Sequence, residues 1–411
     1  MNIRVQWSII SRSPYNGGMA LRLWLWTFGI IGILAAQDPL FVKGFEHFYS
    51  LEYDEAVAEF EKEIAAKPSD PEPYNHLAQA LLYRELYRGG ALETELVTGA
   101  NPFLRRAKME PKPEDLERFD DAISNAMKHA QARIDKNATD QRGLYALGVA
   151  YGLRGNCGFL VRKAYMSALR DATSARRLCN QVVELNPAFI DARMVQGAHD
   201  YIVGSLPGYI RFLGFLSGFK GDKEAGIRTL RLVAEKGTNN KMDAQVLLGV
   251  VYRRERRPQE ALPLLAIMTA RYPRNYLFRL EQSQMYADLG DKDKAIAILD
   301  DIDKLKRTGA YGKISWEKLA FIKGNLRFWY DDFDIAIEQL KQATAKSNEL
   351  DLNTSVMAWL RLGQAYDMKG QHTLAKPAYE AAIRTAPQSD GAKEARKYLT
   401  ARYIRDYIKE P

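Results

Sequence analysis

The sequence predicts an all-α fold built as an array of about eight helix pairs with insertions. Three observations carry this prediction. Marker residues recur with a period of 34, apolar residues follow three- and four-residue steps, and prolines stand where the units end. Steps of three and four place side chains on one face of a helix, and a proline cannot continue the helical hydrogen-bond ladder. Each period therefore reads as two helices followed by a stop.

The period is clearest between two neighbouring units in the second half of the chain. Adding 34 to the core markers of one unit reproduces apolar or small residues in the next without a gap. The markers of the first unit are Leu248, Gly249, Tyr252, Ala261, Leu265, Met268 and Pro273, and those of the next include Tyr286, Ala295, Leu299 and Ile302.

The most complete unit lies further along, with markers at Trp359, Leu362, Gly363, Tyr366, Gly370, Ala375, Tyr379, Ala382 and Pro387. This pattern of Trp-x2-Leu-Gly-x2-Tyr, Ala-x3-aromatic and Pro resembles the tetratricopeptide-repeat (TPR) family. The small residues Gly363 and Ala375 would let the two helices approach closely. The resemblance implies a right-handed α-α superhelix, a TPR solenoid.

Fainter copies divide the rest of the chain. Residues 37–240 read as irregular repeats, residues 241–389 as the regular array, and residues 390–411 as a C-terminal capping helix with an apolar stripe. The faint markers are Gly44, Ala56, Phe60, Pro68, Tyr74, Leu77, Ala78, Leu147, Gly148, Tyr151, Ala175, Pro187, Gly197, Gly324, Ala336, Leu340 and Ala343; those of the capping stripe are Leu399, Tyr403, Tyr407 and Ile408.

Three insertions interrupt the period. Residues 84–113 are rich in glycine and proline and predict an ordered loop, whereas residues 156–174 predict a helix extended by several turns. One helix over 159–185 would hold Cys157 and Cys179 about 33 Å apart, so free thiols are expected. The third insertion, residues 204–222, is strongly apolar and predicts a buried plug of the superhelix, with a membrane-surface contact as the alternative.

The middle section also resembles, more weakly, a TPR subgroup that includes the tetratricopeptide-repeat 39 and inclusion-body-clearance proteins. The resemblance rests on Leu206-Pro207, on Gly-Phe-Lys-Gly-Asp at 218–222 and on a helix beginning near Lys223.

The first 36 residues read as a signal for export. Three arginines and no acidic residue accompany the apolar run Leu23–Ala36, which is too short to cross a bilayer comfortably. A cleaved signal peptide and a periplasmic or secreted protein are expected, and an uncleaved N-terminal anchor is the alternative. Met19, directly before the compact segment, is an alternative start.

Charge and motifs argue against other function classes. The net charge of +8 is spread over helices of mixed sign, which does not favour nucleic acid. Phosphate-binding loops, zinc motifs and paired cysteines are lacking, so no catalytic residue, cofactor or metal ligand is predicted. His199-Asp200 is an adjacent pair, but helix neighbours are expected to point apart.

The resemblance places ligand binding on the inward face, formed by positions 2, 5, 6, 9, 12 and 13 of each first helix. Polar groups there can read a partner's backbone or charged ends. The predicted partner-binding residues are Asn75, His76, Gln79, Arg253, Arg254, Glu281, Gln284, Asp288, Arg361, Gln364 and Asp367; the apolar inward positions are Val246, Leu247, Leu280, Phe321, Phe328 and Trp329. The apolar set predicts a groove that is partly filled by the protein itself or meets an apolar partner.

These observations predict an exported, non-catalytic scaffold that binds proteins or peptides. A peripheral membrane protein using residues 204–222 is the first alternative, and a hydrolase acting through the irregular middle is the second.

Overall fold

The structure is a computed structural model that describes residues 39–92, 111–205 and 221–405, all within one compact unit. The signal-like segment, most of the first insertion, the apolar residues 206–220 and the last six residues lie outside the described residues.

Seventeen α-helices and no strand occur in these ranges, so the all-α prediction is confirmed. In chain order they are α1 (Pro39–Tyr49), α2 (Tyr53–Ala66), α3 (Pro71–Arg88), α4 (Pro113–Lys136), α5 (Gln141–Leu160), α6 (Tyr165–Leu185), α7 (Arg193–Gly204), α8 (Lys223–Lys236), α9 (Lys241–Arg254), α10 (Pro258–Arg271), α11 (Tyr276–Asp288), α12 (Lys292–Arg307), α13 (Trp316–Trp329), α14 (Phe333–Ala345), α15 (Leu352–Met368), α16 (His372–Thr385) and α17 (Asp390–Thr400).

Successive helices pack on one another as eight pairs, α1/α2 to α15/α16, followed by α17. The predicted solenoid of about eight helix pairs is therefore confirmed. Residues within the described ranges form no helix that is both long and apolar enough to cross a membrane.

Side-chain chemistry explains where the helices begin and end. Asp140, Asp291 and Asp351 each accept a hydrogen bond from the first turn of the following helix, as N-cap residues do. Pro273 and Pro387 stand two residues after the last residue of α10 and α16, where a further helical N–H is missing. The prolines therefore end the second helix of a unit, as predicted.

The recurring glycine is required by close contacts inside α13/α14 and α15/α16, whereas a methyl group added to Gly249 on α9 would lie an ordinary 3.8 Å from Met268 Cε. A methyl group added to Gly363 would lie 2.5 Å from Tyr379 Cε1, and one added to Gly324 would lie 2.8 Å from Leu340 Cγ. Since a carbon atom needs more room than that, only glycine lets the first helix lie this close to the second.

Helix α6 corrects the prediction for residues 156–174. The chain leaves the helix after Leu160 and resumes at Tyr165, so a turn replaces the single helix expected over 159–185. Lys163 has a φ of 56° in this turn, a left-handed conformation that does not occur inside a right-handed helix. Cys157 and Cys179 are both free and buried, as expected, although they lie on two packed helices.

The ends of two other predicted segments also differ. Helix α3 runs through Arg88 into the predicted loop 84–113, and α4 begins at Pro113. Helix α17 ends at Thr400, and residues 402–405 are not helical, so Tyr403 does not continue the stripe of the predicted capping helix.

Candidate functional site

The inward face of α9 is covered by the N-terminal helices. The Tyr49 hydroxyl, at the end of α1, donates a 2.7 Å hydrogen bond to Asp243 on α9. The Gln79 side chain on α3 donates to both oxygens of the same carboxylate at 3.3 Å. The first two helix pairs therefore bond directly to the fifth, and the groove is partly filled by the protein's own N-terminal units.

Four further contacts extend this closure toward the sixth pair and the turn after it. Asn275 donates to the Tyr49 carbonyl at 2.7 Å, and Lys313 donates to the Leu51 carbonyl at 2.7 Å. The Tyr87 and Tyr276 hydroxyls are 2.9 Å apart, and the Arg274 guanidinium lies 2.8 Å from the Glu52 carboxylate. Because two of the acceptors are backbone carbonyls, these bonds hold the chain path after α1 in place.

Burial governs the chemistry of Asp243. Loss of solvent raises the pKa of this carboxyl group above its usual 3.8, and the hydrogen bonds from Tyr49 and Gln79 offset only part of the effect. The half-buried carboxylate is thus a junction between α1, α3 and α9.

A small cleft opens beside this junction. The three binding residues predicted on α3 all line it, but all three are already engaged, Gln79 with Asp243. Asn75 is buried and donates to the Ala146 carbonyl at 2.9 Å, and His76 lies 3.0 Å from Glu63. The cleft is lined by Phe41, Phe45, Glu72, Asn75, His76, Gln79, Tyr145, Ala146, Val149, Asn239, Asn240 and Asp243.

The predicted residues Arg253 and Glu281 form a buried ion pair, with 2.9 Å between guanidinium and carboxylate. Only about a tenth of either side chain is exposed. The pair joins α9 to α11, so both residues connect two units.

The predicted residues of the last unit are also buried and bonded within the protein. Arg361 donates to Asn325 at 2.9 Å and to Gln364 at 2.8 Å, and Gln364 donates to Glu394 at 3.1 Å. Asp367 accepts from the Tyr379 hydroxyl at 2.6 Å and contacts His372 at 2.7 Å.

Other predicted residues stay accessible at the ends of the first helices. Arg254 and Asp288, the last residues of α9 and α11, are exposed, and Gln284 is half-buried and donates to Asp288. Trp329 ends α13 with 39% exposure, and Ile202 near the end of α7 is 57% exposed. Ile202, Arg254, Asp288 and Trp329 each stand five residues after the position that packs against the second helix, so they share one repeat position.

Residues 401–405 contribute a contact that sequence patterns did not reveal. Tyr403 and Arg405 lie buried against α13 and α15, on the inward positions Phe328, Trp329 and Asp367. The apolar stripe that includes Tyr403 predicts a helix, whereas the structure places Tyr403 in a non-helical segment.

The adjacent pair His199-Asp200 corrects another expectation. The imidazole lies 3.3 Å from the Asp200 carboxylate, and Arg176 is close to both side chains. Burial lowers the pKa of His199, with Arg176 adding to that effect and Asp200 opposing it. Within the described ranges, no three His, Cys, Asp or Glu residues are grouped so that they could hold a metal ion.

Comparison with known families matches two stretches in the second half of the chain. Residues 246–310 and 331–390 match the family model described as tetratricopeptide repeat. Together these stretches hold 125 of the 411 residues, and they are similar to tetratricopeptide repeats. The matched stretches contain α10 to α12 and α14 to α16 in full, together with most of α9. The subgroup indicated by Leu206-Pro207 stays a prediction.

Two solved structures are similar to this chain. A chain of the APC/C hetero-tetramer Cut9–Hcn1 is 15% identical, with a TM-score of 0.49 and coverage of 90% of this chain. This chain spans 57% of that one. Yeast Tom70 is 13% identical, with a TM-score of 0.41 and coverage of 90% of this chain and 89% of its own. A search of curated proteins finds no match.

Proposed function

We propose that the chain is an exported TPR scaffold that binds a protein or peptide segment and performs no catalysis. The observation that carries the proposal is the set of exposed residues at one repeat position: Ile202, Arg254, Asp288 and Trp329. They offer an apolar, a cationic, an anionic and an aromatic group at the ends of successive first helices. A polypeptide carries side chains that can bind all four kinds of group. A small metabolite does not extend over four repeats, and a nucleic acid does not match this mixture of charges and apolar groups.

The buried polar residues already bond within the protein, which supports placing partner contact on the exposed residues. Arg253, Glu281, Gln364 and Asp367 satisfy one another or neighbouring helices, so a partner would have to break those bonds to use them. Partner contact is therefore proposed for Arg254, Gln284 and Asp288 among the predicted residues, beside the N-terminal units that cover α9.

Photo-crosslinking tests the scaffold proposal in cells. A photoreactive amino acid at Arg254 or Asp288 is expected to capture the same partner. The matched controls are Ile267 on α10 and Leu374 on α16, which are 57% and 52% exposed on second helices. Equal capture at all four positions, or none at Arg254 and Asp288, contradicts binding on the inward face.

Export is part of the same proposal and rests on residues 1–36 alone. Cell fractionation and N-terminal peptide mapping of the purified protein test it. A new N-terminus just after Ala36 supports a cleaved signal, an intact start in the membrane fraction supports the anchor, and a cytosolic protein with an intact start contradicts export.

Contact with a membrane surface through residues 204–222 is the second candidate. It is favoured by aromatic residues flanked by Arg211 and Lys220 in the sequence. Flotation with liposomes that is unchanged by Phe212→Ser plus Phe215→Ser contradicts it.

A further inference from the structure

The segment after α17 has the form of a bound extended peptide. Ala401 has φ −133° and ψ 127°, an extended conformation. Along the segment, Arg402 is exposed, Tyr403 is buried, Ile404 is exposed and Arg405 is buried. Alternation with a period of two is how an extended chain lies on a surface and points every second side chain into it.

The first anchor is Tyr403, which is held through both backbone and ring. Its N–H donates a 2.7 Å hydrogen bond to a buried oxygen of Asp367. Its ring centroid lies 5.2 Å from that of Tyr398 and 6.1 Å from that of Phe328. These distances are typical of favourable aromatic pairs. The surface therefore accepts an aromatic side chain together with the amide of the same residue.

The second anchor is Arg405, which is bound at the C-terminal end of α13. Its guanidinium donates to the Phe328 carbonyl at 2.6 Å and forms an ion pair with Asp331. The last carbonyls of a helix lack helical partners and carry partial negative charge, so a cation is stabilised there.

Aromatic faces complete the site for the guanidinium. The Arg405 carbon Cζ lies 4.5 Å from the ring centroid of Phe328, 5.0 Å from that of Trp329 and 5.7 Å from that of Phe333. Contacts of this length are cation–π interactions, which a planar guanidinium makes better than an ammonium group.

We propose that this surface, the tail receptor formed by Phe328, Trp329, Asp331, Phe333 and Asp367, recognises an extended aromatic-x-arginine segment of a partner protein. The chain's own residues Tyr403–Arg405 occupy it as a tethered competitor. The inference rests on the proposed scaffold function and names the chemistry of one partner segment.

The short link favours a partner segment over a second copy of this chain. Only Ala401 and Arg402 separate α17 from Tyr403, so the tail cannot reach another molecule unless α17 leaves its place on α16. A partner can compete at the accessible edge, since Trp329 is 39% exposed and the side chain of Asp331 is 48% exposed. It competes with a tail whose effective concentration is in the millimolar range for a short tether.

Fluorescence anisotropy with the peptide ARYIRDYIK, residues 401–409, tests the proposal on the full chain. The variant Tyr403→Ser plus Arg405→Ser vacates the receptor and is expected to bind the peptide at least tenfold more tightly than the wild type. Peptides in which the first tyrosine and second arginine are both serine are expected not to bind, and a lysine in place of that arginine is expected to weaken binding about tenfold.

A pair of receptor variants separates the site from general charge. In the vacated chain, Asp331→Asn is expected to weaken peptide binding severalfold, whereas Asp334→Asn, an exposed acid on the next helix, leaves it unchanged. A folded vacated chain that ignores the peptide, or binds the serine peptide equally well, overturns the proposal.

Hydrogen exchange keeps the test decisive if the double variant does not fold. In the wild type, excess peptide is expected to speed exchange of the Tyr403 amide at least tenfold because the tail is displaced. Unchanged exchange at millimolar peptide overturns the proposal. Crosslinking at Arg254 and Asp288 lies outside the tail receptor, so capture there without peptide binding rejects this inference and retains the scaffold function. Peptide binding without capture retains the receptor and rejects the wider inward face.

Discussion

The Tyr49 hydroxyl and the Asp243 carboxylate form a 2.7 Å hydrogen bond between residues 194 positions apart. Tyr49 is buried and Asp243 is half-buried, and this bond belongs to a set that ties the first helix pair to the fifth and sixth. An array in which each unit touches only its neighbours would contain no such bond. The N-terminal units are thus part of one closed network.

Tyr49→Phe is expected to lower the free energy of unfolding by about 1–3 kcal/mol, since it leaves the half-buried Asp243 carboxylate without its shortest donor. Urea denaturation measures the change. Tyr74→Phe is the matched control, because the Tyr74 hydroxyl bonds to the Pro68 carbonyl at an exposed site. Equal decreases in the free energy of unfolding of the two variants would contradict a specific stabilising contribution of the Tyr49–Asp243 hydrogen bond.

The free energy of unfolding of the Asp243→Asn variant is expected to rise relative to that of the wild type as the pH rises from about 4 to about 7. The folded pKa of Asp243 lies above its usual 3.8, so the folded state holds the proton more tightly than the unfolded state. This group's stabilising contribution is full below about pH 3.8 and is lost as the pH rises through the folded pKa. The shift amounts to about 1.4 kcal/mol for each unit by which the pKa is raised. Unfolding curves at several pH values measure it, and parallel curves for the two proteins would contradict it.

Lys318→Met is expected to cost about 3 kcal/mol, because it leaves the Asp351 carboxylate without the ammonium group that lies 2.9 Å away. Lys346→Met, which removes an exposed lysine from looser pairs, is expected to cost under about 0.5 kcal/mol. Thermal unfolding of the two variants compares the buried pair with the exposed one. Similar decreases in stability for Lys318→Met and Lys346→Met would contradict the larger contribution expected of the Lys318–Asp351 pair.

The pH dependence of Asp351 has the opposite sign to that of Asp243. Burial alone would raise the pKa of Asp351, but Lys318 and the hydrogen bonds from Thr354 outweigh burial and lower it below 3.8. Its contribution is present above about pH 3.8 and lost as the pH falls through the folded pKa. Lys318→Met should therefore remove stability at neutral pH and flatten the acid branch of the stability curve; an unaltered acid branch would contradict this assignment.

Gly363→Ala is expected to destabilise the protein by about 1–3 kcal/mol, because the new methyl group would lie 2.5 Å from Tyr379 Cε1. Gly312→Ala is the control, since a methyl group there meets nothing within 4 Å. The control is expected to change stability by no more than about 0.5 kcal/mol. Thermal denaturation distinguishes the two, and a tolerated Gly363→Ala would mean that the helix pair can separate without loss.

The two thiols are expected to resist modification in the folded protein. Burial raises the pKa of Cys157 to about 11 and that of Cys179 to about 12, so neither thiolate forms at pH 8. A thiol reagent should label neither cysteine in native protein and both in urea, as read by intact mass. Rapid native labelling of either residue would contradict the packing of α5 on α6.

Local pattern was enough to predict the unit. Gly363 and Pro387 are required by the geometry of a single helix pair. Such residues repeat with the unit, so the period of the sequence reveals them. The turn at residues 161–164 was missed because the residues around it continue a helix-compatible pattern, while the packing of α6 on α5 demands a reversal there.

Longer-range contacts leave no such trace. Nothing in the neighbourhood of Tyr49 or Asp243 indicates the other residue, and the polar inward positions are predicted as binding residues because the family resemblance places ligands on that face. Arg253 and Glu281 instead pair with each other across two units. The exposed Arg254 differs from its neighbour Arg253 by one position, a distinction that depends on helix packing rather than on residue type.

The bonds from Asn275 to Tyr49 and from Lys313 to Leu51 also set how much of the chain must be present before the first helix pair is fully bonded. Lys313 follows the sixth helix pair, so the first pair cannot complete these bonds while only the earlier units are available. Each later unit can pack on its predecessor as soon as both have formed, whereas the first unit also needs the sixth. A fragment that ends before residue 313 would therefore leave the Leu51 carbonyl without its hydrogen bond from Lys313.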